Sequence, residues 1–165
     1  MRIGIVNDLR LAVESLKRAV ATLRGATVAW VAVDGAQAVA MCAKDRPDIV
    51  LMDMIMPVMD GVEATRLIMQ ATPCPIIVVT ATVEGNASKV FEALGAGALD
   101  AVATPRLNSD GSALDAEALV RKIRAIGMIA GVGGGGVEPV VAQPANRPEL
   151  HDARRRATMG AIGGF

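Results

Sequence analysis

The sequence predicts an α/β fold, a doubly wound five-stranded parallel sheet with helices on both faces. Three observations carry that expectation. Short apolar, β-branched runs alternate with stretches of helical spacing from the first residues onward. The alternation repeats five times, which suits a sheet whose strands are joined by helical crossovers. Hydrophobic residues make up 52% of the chain and aromatics only 2%. The core must therefore be built from Ala, Val, Ile, Leu and Met, a palette suited to helices on a buried parallel sheet.

Taken in order, the strand-like runs are Ile3–Val6, Val28–Val33, Ile49–Met52, Ile76–Val79 and Ala98–Ala103. Between the first two, Leu9, Val13, Leu16, Val20 and Leu23 recur every three or four residues. Glu14, Lys17, Arg18 and Arg24 occupy the other faces, as an amphipathic helix requires. Similar helical stretches cover Gly35–Lys44, Gly61–Met69, Ala87–Leu94 and Asp115–Ile126. The expected strand order is 2-1-3-4-5, the flavodoxin-like arrangement, in which ligands bind beyond the C-terminal strand ends where the order reverses.

Past Ile126 the texture changes. Gly127, Gly131 and Gly133–Gly136 leave the backbone unrestrained, and Pro139, Pro144 and Pro148 forbid regular structure. The division expected is a domain over 1–126 and a linker or disordered tail over 127–165. Arg154–Arg156 reads as a solvated patch, and His151, the only histidine, as a solvated tail residue.

Seventeen basic residues cancel seventeen acidic ones, so no net field draws the chain to nucleic acid or anionic lipid. No apolar run approaches the length of a membrane span. The N-terminus lacks the apolar core and cleavage site of a signal peptide, so a cytoplasmic location is expected. Cys42 and Cys74 lie far apart in sequence with no companion His cluster, and read as two buried thiols.

The chemistry is expected at one rim of the sheet. Asp8 follows the first strand and Asp53 the third, so in a parallel sheet both emerge at the same end. Thr80 ends the fourth strand there and Thr104-Pro105 the fifth. Two carboxylates at close range repel each other and need a cation to stay ionised. A hard divalent ion such as Mg²⁺ suits them, since it takes few protein ligands and keeps waters. An ionised Asp held in this way is also able to act as a nucleophile and form an aspartyl phosphate.

The segment Asp53-Met54-Ile55-Met56-Pro57-Val58-Met59-Asp60-Gly61 resembles the phosphorylation segment of response-regulator receiver domains. Thr80-Ala81 after a strand, and Pro105 closing the fifth, fit the same pattern over Met1 to about Ile126. The resemblance implies that Asp53 is the phosphoacceptor and Thr80 the hydroxyl that binds the phosphoryl group. It further implies that Mg²⁺ is held by Asp8, Asp53 and the Ile55 carbonyl, with Asn7 reaching it through a water. The partners implied are a sensor histidine kinase and an output domain or target protein of a two-component system. Within the family, Arg2–Asp8 and Ala96-Gly97-Ala98-Leu99-Asp100 look most like chemotaxis methylesterases, which join a receiver to a catalytic domain through a linker. The chain itself has no Gly-x-Ser-x-Gly elbow, so no Ser-His-Asp hydrolase is expected in it.

Three positions depart from that pattern. Asn7 replaces the second acid at the end of the first strand, removing an attraction of up to about 4 kcal/mol at ~4 Å and an effective dielectric of ~20. Thr104 stands where the family carries a Lys, and its hydroxyl offers a hydrogen bond but no charge; Arg106 is the nearby candidate cation. Ala101 replaces the aromatic that turns with the phospho-hydroxyl, so any relay from Thr80 to the last helices uses another path. The competing reading is a pseudo-receiver, a protein-binding module with no phosphoryl switch. An aspartyl-nucleophile phosphatase is set aside, because Ile55 occupies the position where its acid would stand.

Overall fold

The computed structural model describes residues 1–131. The elements run β1 (Arg2–Val6), α1 (Arg10–Ala21), β2 (Thr27–Ala32), α2 (Gly35–Lys44), β3 (Ile49–Met52) and α3 (Gly61–Ala71). Next come β4 (Ile76–Thr80), α4 (Ala87–Gly95), β5 (Asp100–Ala103), the short strands β6 (Arg106–Leu107) and β7 (Ala113–Leu114), and α5 (Ala116–Ile129). Strands β1 to β5 form one parallel sheet in the order β2-β1-β3-β4-β5. The expected topology is therefore the observed one.

The pleat sorts the apolar residues into two layers. Ile3 and Ile5 of β1, Ile49 and Leu51 of β3, and Ile77 and Val79 of β4 pack with Val13, Leu16, Ala19 and Val20 of α1 and Leu119 and Ile123 of α5. Their alternating neighbours Val6, Val50, Met52, Ile76 and Val78 pack with Ala38 and Cys42 of α2, Val62, Ala64 and Ile68 of α3, and Val90 and Ala93 of α4. Both faces of β3 and β4 are thus covered, which explains why these strands are continuously apolar. The edge strand β2 is only half buried. Trp30 fills the gap above Gly4, where a Cβ would stand 2.6 Å from the indole.

Several boundaries differ from expectation. Leu9 belongs to the helical pattern of α1 but is exposed, because α1 begins after it and only Val13, Leu16, Val20 and Leu23 face the sheet. Leu99 is also exposed, since β5 starts one residue later. Helix α5 continues through Gly127 to Ile129, with Ile126 and Gly127 still buried. The sequence beyond 131, including most of the expected linker, lies outside the described residues. Cys42 and Cys74 are free and buried, as expected, and the fold places both in one apolar cluster. The neighbouring Cys74 thiol, and burial next, push the Cys42 thiol upward.

The hairpin β6–β7 has no counterpart among the expected elements. It joins β5 to α5, packs on α1, and is closed by Asn108 and Ser112 across a turn containing Asp110 and Gly111. Gly111 has φ +79, and a Cβ there would press on the Arg18 guanidinium. The Asp110-Gly111 pair is a hairpin signal readable in the sequence.

Candidate functional site

Backbone ladder bonds bring the ends of the central strands side by side. Asp53 N–H donates to the Val6 carbonyl at 2.9 Å, and Asn7 N–H to that of Ala32 at 3.0 Å. Thr104 N–H donates to the Thr80 carbonyl at 2.8 Å. The residues at the ends of β1, β3, β4 and β5 are thereby carried to a common rim. One cleft of about 380 Å³ is lined by Asn7, Asp8, Leu9, Ala12, Asp53, Ile55, Thr80, Ala81, Asn86 and Thr104. All six residues expected at the site therefore lie in one cleft, drawn from four separate strand ends.

Within it, Asp53 and Thr80 are buried and Asp8 is exposed at the mouth. Burial pushes the Asp53 carboxyl above its usual range, hydrogen bonds from the Met54 and Ile55 amides oppose this, and the charge of Asp8 adds to the rise. The Met54 amide donates to Asp53 Oδ1 at 2.7 Å. Among the described residues, no Lys or Arg lines the cleft. The candidate cation Arg106 instead pairs with Asp115 at 3.0 Å, with its side chain exposed on β6. That finding corrects the idea of Arg106 as a stand-in for the missing Lys: the hairpin takes it away from the rim.

The loop after β3 shows why the Asp53–Gly61 segment has its composition. A Cβ on Gly61 would stand 2.0 Å from the Asp53 carbonyl oxygen, so only glycine fits there. Asp60 caps α3 by accepting from Glu63 N–H at 3.0 Å, and Lys89 of α4 pairs with it at 3.3 Å. The Glu63 amide, and then Lys89, hold the Asp60 carboxyl below its ordinary range. Val58 sits at φ 69, a strained backbone for a β-branched residue, with its side chain in solvent.

Two further details are not readable from the sequence. Asn7 Oδ1 accepts from Leu9 N–H at 2.8 Å, tying the rim to the start of α1. Asn86 lines the cleft and donates from Nδ2 to Thr80 Oγ1 at 2.8 Å. In sequence Asn86 looks like a helix cap, since Asn just before a helical stretch usually is one.

A family model described as the response regulator receiver domain matches residues 3–110. The chain belongs to the response regulator receiver domain family. This receiver is 54% identical over 150 residues to protein-glutamate methylesterase/protein-glutamine glutaminase 4 of Burkholderia thailandensis, covering 91% of this chain and 44% of that protein. It is 56% identical over 131 residues to the corresponding protein 3 of Pseudomonas aeruginosa, covering 79% of this chain and 39% of that protein. The receiver thus spans less than half the length of the methylesterases that it matches. Among solved structures, the response regulator domain of Thermotoga maritima CheB superposes with a TM-score of 0.66 at 28% identity, covering 81% of this chain and 98% of that one. The receiver is accordingly of the methylesterase type found in chemotaxis response regulators. Among the described residues, no helix is long and apolar enough to cross a membrane.

Proposed function

We propose that this receiver is a phosphoryl-accepting switch, with Asp53 as the acceptor. The observation that carries the reading is the cleft itself: a buried carboxylate destabilised by burial and by Asp8, beside a buried hydroxyl, with no cation lining it among the described residues. Such a site favours whatever neutralises its charge. Its donors are hard oxygens, and among the described residues no cluster of three His, Cys, Asp or Glu forms. Two carboxylates, one carbonyl and space for water fit Mg²⁺ rather than a softer metal. Asp8, Asp53 and the Ile55 carbonyl would hold the ion. Asn7 would reach it through a water, using the second lone pair of Oδ1. When bound, Mg²⁺ supplies neutralisation of the charge that gathers on the transferring phosphoryl group.

The residues of the chain do the rest. The Asp53 carboxylate attacks phosphorus as the bond to the donor breaks, with the bonding pair leaving on the imidazole nitrogen of a sensor kinase's histidine or, from a small acyl phosphate, on the carboxylate oxygen that is released. The Met54 amide holds Asp53 Oδ1 in place during the approach. Thr80 offers its hydroxyl hydrogen to a phosphoryl oxygen, and Thr104 offers a neutral hydroxyl where a cation would bind more strongly. The partners proposed are a sensor histidine kinase and an output domain or target protein in the cytoplasm. The receiver would end with α5, and the Gly/Pro-rich stretch after it would serve as a linker to an output domain.

A pseudo-receiver is the second reading, and Thr104 is the observation that favours it. Incubation with Mg²⁺ and acetyl phosphate, followed by intact mass, separates the two. Addition of one phosphoryl group to wild type and none to Asp53→Asn supports the switch. An unmodified wild type supports the binding module.

A further inference from the structure

The exposed apolar residues, the Cys42–Cys74 pair, the β6–β7 hairpin and the hydrogen bonds around Thr80 are the features that the phosphoryl site leaves unexplained. The last group carries an inference furthest. In β5, Ala101 pairs with Val78 and presents only a methyl group beside the fourth strand. A methyl has no second rotamer, so it is unable to report a movement of Thr80 to the last helices. Asn86 offers a direct alternative.

Three observations single it out. Its amide nitrogen donates to Thr80 Oγ1 at 2.8 Å and to the Thr82 carbonyl at 3.1 Å, so both amide hydrogens point back into the β4–α4 loop. It occupies the N-cap position of α4, yet its side chain caps nothing, unlike Asp34 and Asp60 at the starts of α2 and α3. Its backbone carbonyl accepts from Val90 N–H at 3.0 Å, so the residue is part of the first helical turn. A capping side chain typically contributes about 1 kcal/mol to a helix. Here that contribution is forgone, and the side chain grips the switch hydroxyl.

We infer that Asn86 is the positioning residue that couples the phosphoryl site to α4, through its hydrogen bond to Thr80. The inference rests on the proposed role of this receiver as a phosphoryl switch. A threonine hydroxyl has one hydrogen and two lone pairs, so it donates to a phosphoryl oxygen while still accepting from Asn86. Donation to an anion makes the oxygen a better acceptor, which strengthens the bond to Asn86 as the site is filled. Movement of Thr80 toward the phosphoryl group then draws Asn86, and with it the first turn of α4.

The test uses the full chain, saturated with beryllofluoride and Mg²⁺, with backbone amide shifts as readout. Saturation is judged from the Asp53 and Met54 amides, so labelling rate does not enter. In wild type the amides of Ala87–Gly95 shift on saturation. In Asn86→Ala the site amides respond while the α4 changes fall to the level seen in Thr80→Ala. Thr80→Ser, which keeps a hydroxyl, retains the wild-type response. Adding Asn86→Ala to Thr80→Ala produces no further loss, whereas a purely structural role would give an additional one. An α4 response of wild-type size in Asn86→Ala, at full saturation, overturns the relay and leaves the phosphoryl switch standing. A wild type whose site amides never respond overturns both. Should Asn86→Ala melt too early to measure, Asn86→Leu replaces it: it keeps the size, removes both donors without adding an acceptor or a charge, and must lose the α4 response equally.

Discussion

The two ends of the parallel sheet hold the same residue type in opposite conditions. At the amino end, Asp45 closes α2 and Asp48 precedes β3, and both are matched by Arg2. The Arg2 guanidinium grips Asp45 at 2.8 and 2.5 Å, and its backbone N–H donates to Asp48 at 2.6 Å. The hydrogen bond from Arg2, and then its charge, hold the Asp45 carboxyl below its ordinary range. At the carboxyl end, Asp53 is buried beside Asp8 with no Lys or Arg among the described residues lining the cleft, and burial pushes its carboxyl up. An aspartate whose charge the fold pairs is structural; one whose charge the described residues leave without a cation is poised for a ligand.

Replacing Asp53 breaks the contrast most completely. Asp53→Asn loses phosphoryl acceptance outright, read by intact mass after acetyl phosphate. It also raises the melting temperature at neutral pH without divalent ions, because an unfavourable buried anion is gone. The sign comes from linkage: the raised carboxyl binds its proton more tightly folded than unfolded, so Asp53 lowers stability as pH rises through its titration range. The gain from Asp53→Asn therefore disappears in acid, where both states are protonated. Asp45 behaves oppositely, and its contribution is present at neutral pH and lost as pH falls through its depressed range.

Gly61→Ala comes next. Its Cβ would meet the Asp53 carbonyl at 2.0 Å. The loop must shift, at about 1–3 kcal/mol for an overpacked site, and Mg²⁺ affinity falls with it. Urea unfolding and a Mg²⁺ titration measure the two effects. Thr104→Lys restores a cation at the unsatisfied end and should tighten beryllofluoride binding by roughly tenfold, on the order of 1–2 kcal/mol for a charge-assisted hydrogen bond. An unchanged affinity would show that the Thr104 position does not face the phosphoryl oxygens. The smallest effect is expected at Val58, where φ is 69 and the side chain is solvent-exposed. Val58→Gly removes a left-handed strain and should add up to about 1 kcal/mol of stability without altering the cleft.

The sheet was legible because β3 and β4 are buried on both faces, which makes Ile49–Met52 and Ile76–Val79 short unbroken apolar runs. Asp8, Asp53, Thr80 and Thr104 were legible for a topological reason: parallel strands deliver the residues at their C-terminal ends to one rim. Less legible was whatever depends on side-chain direction. Asn86 has the residue type and the position of a helix cap, and only the folded chain shows its amide turned to Thr80. Arg106 is two residues from Thr104 in sequence, but the hairpin carries it to Asp115. Leu9 fits the helical period and is nonetheless exposed, since periodicity marks a face and not where a helix begins.

The contrast between the two ends is tested most directly by titrating individual carboxyl carbons in ¹³C-labelled wild type, with and without Mg²⁺. Without the ion, Asp53 should titrate above the usual aspartate value of about 3.9 and Asp45 below it. Added Mg²⁺ should bring Asp53 down sharply and leave Asp45 where it was. An Asp53 that titrates no higher than Asp45, or two carboxyls that answer Mg²⁺ alike, would contradict the account.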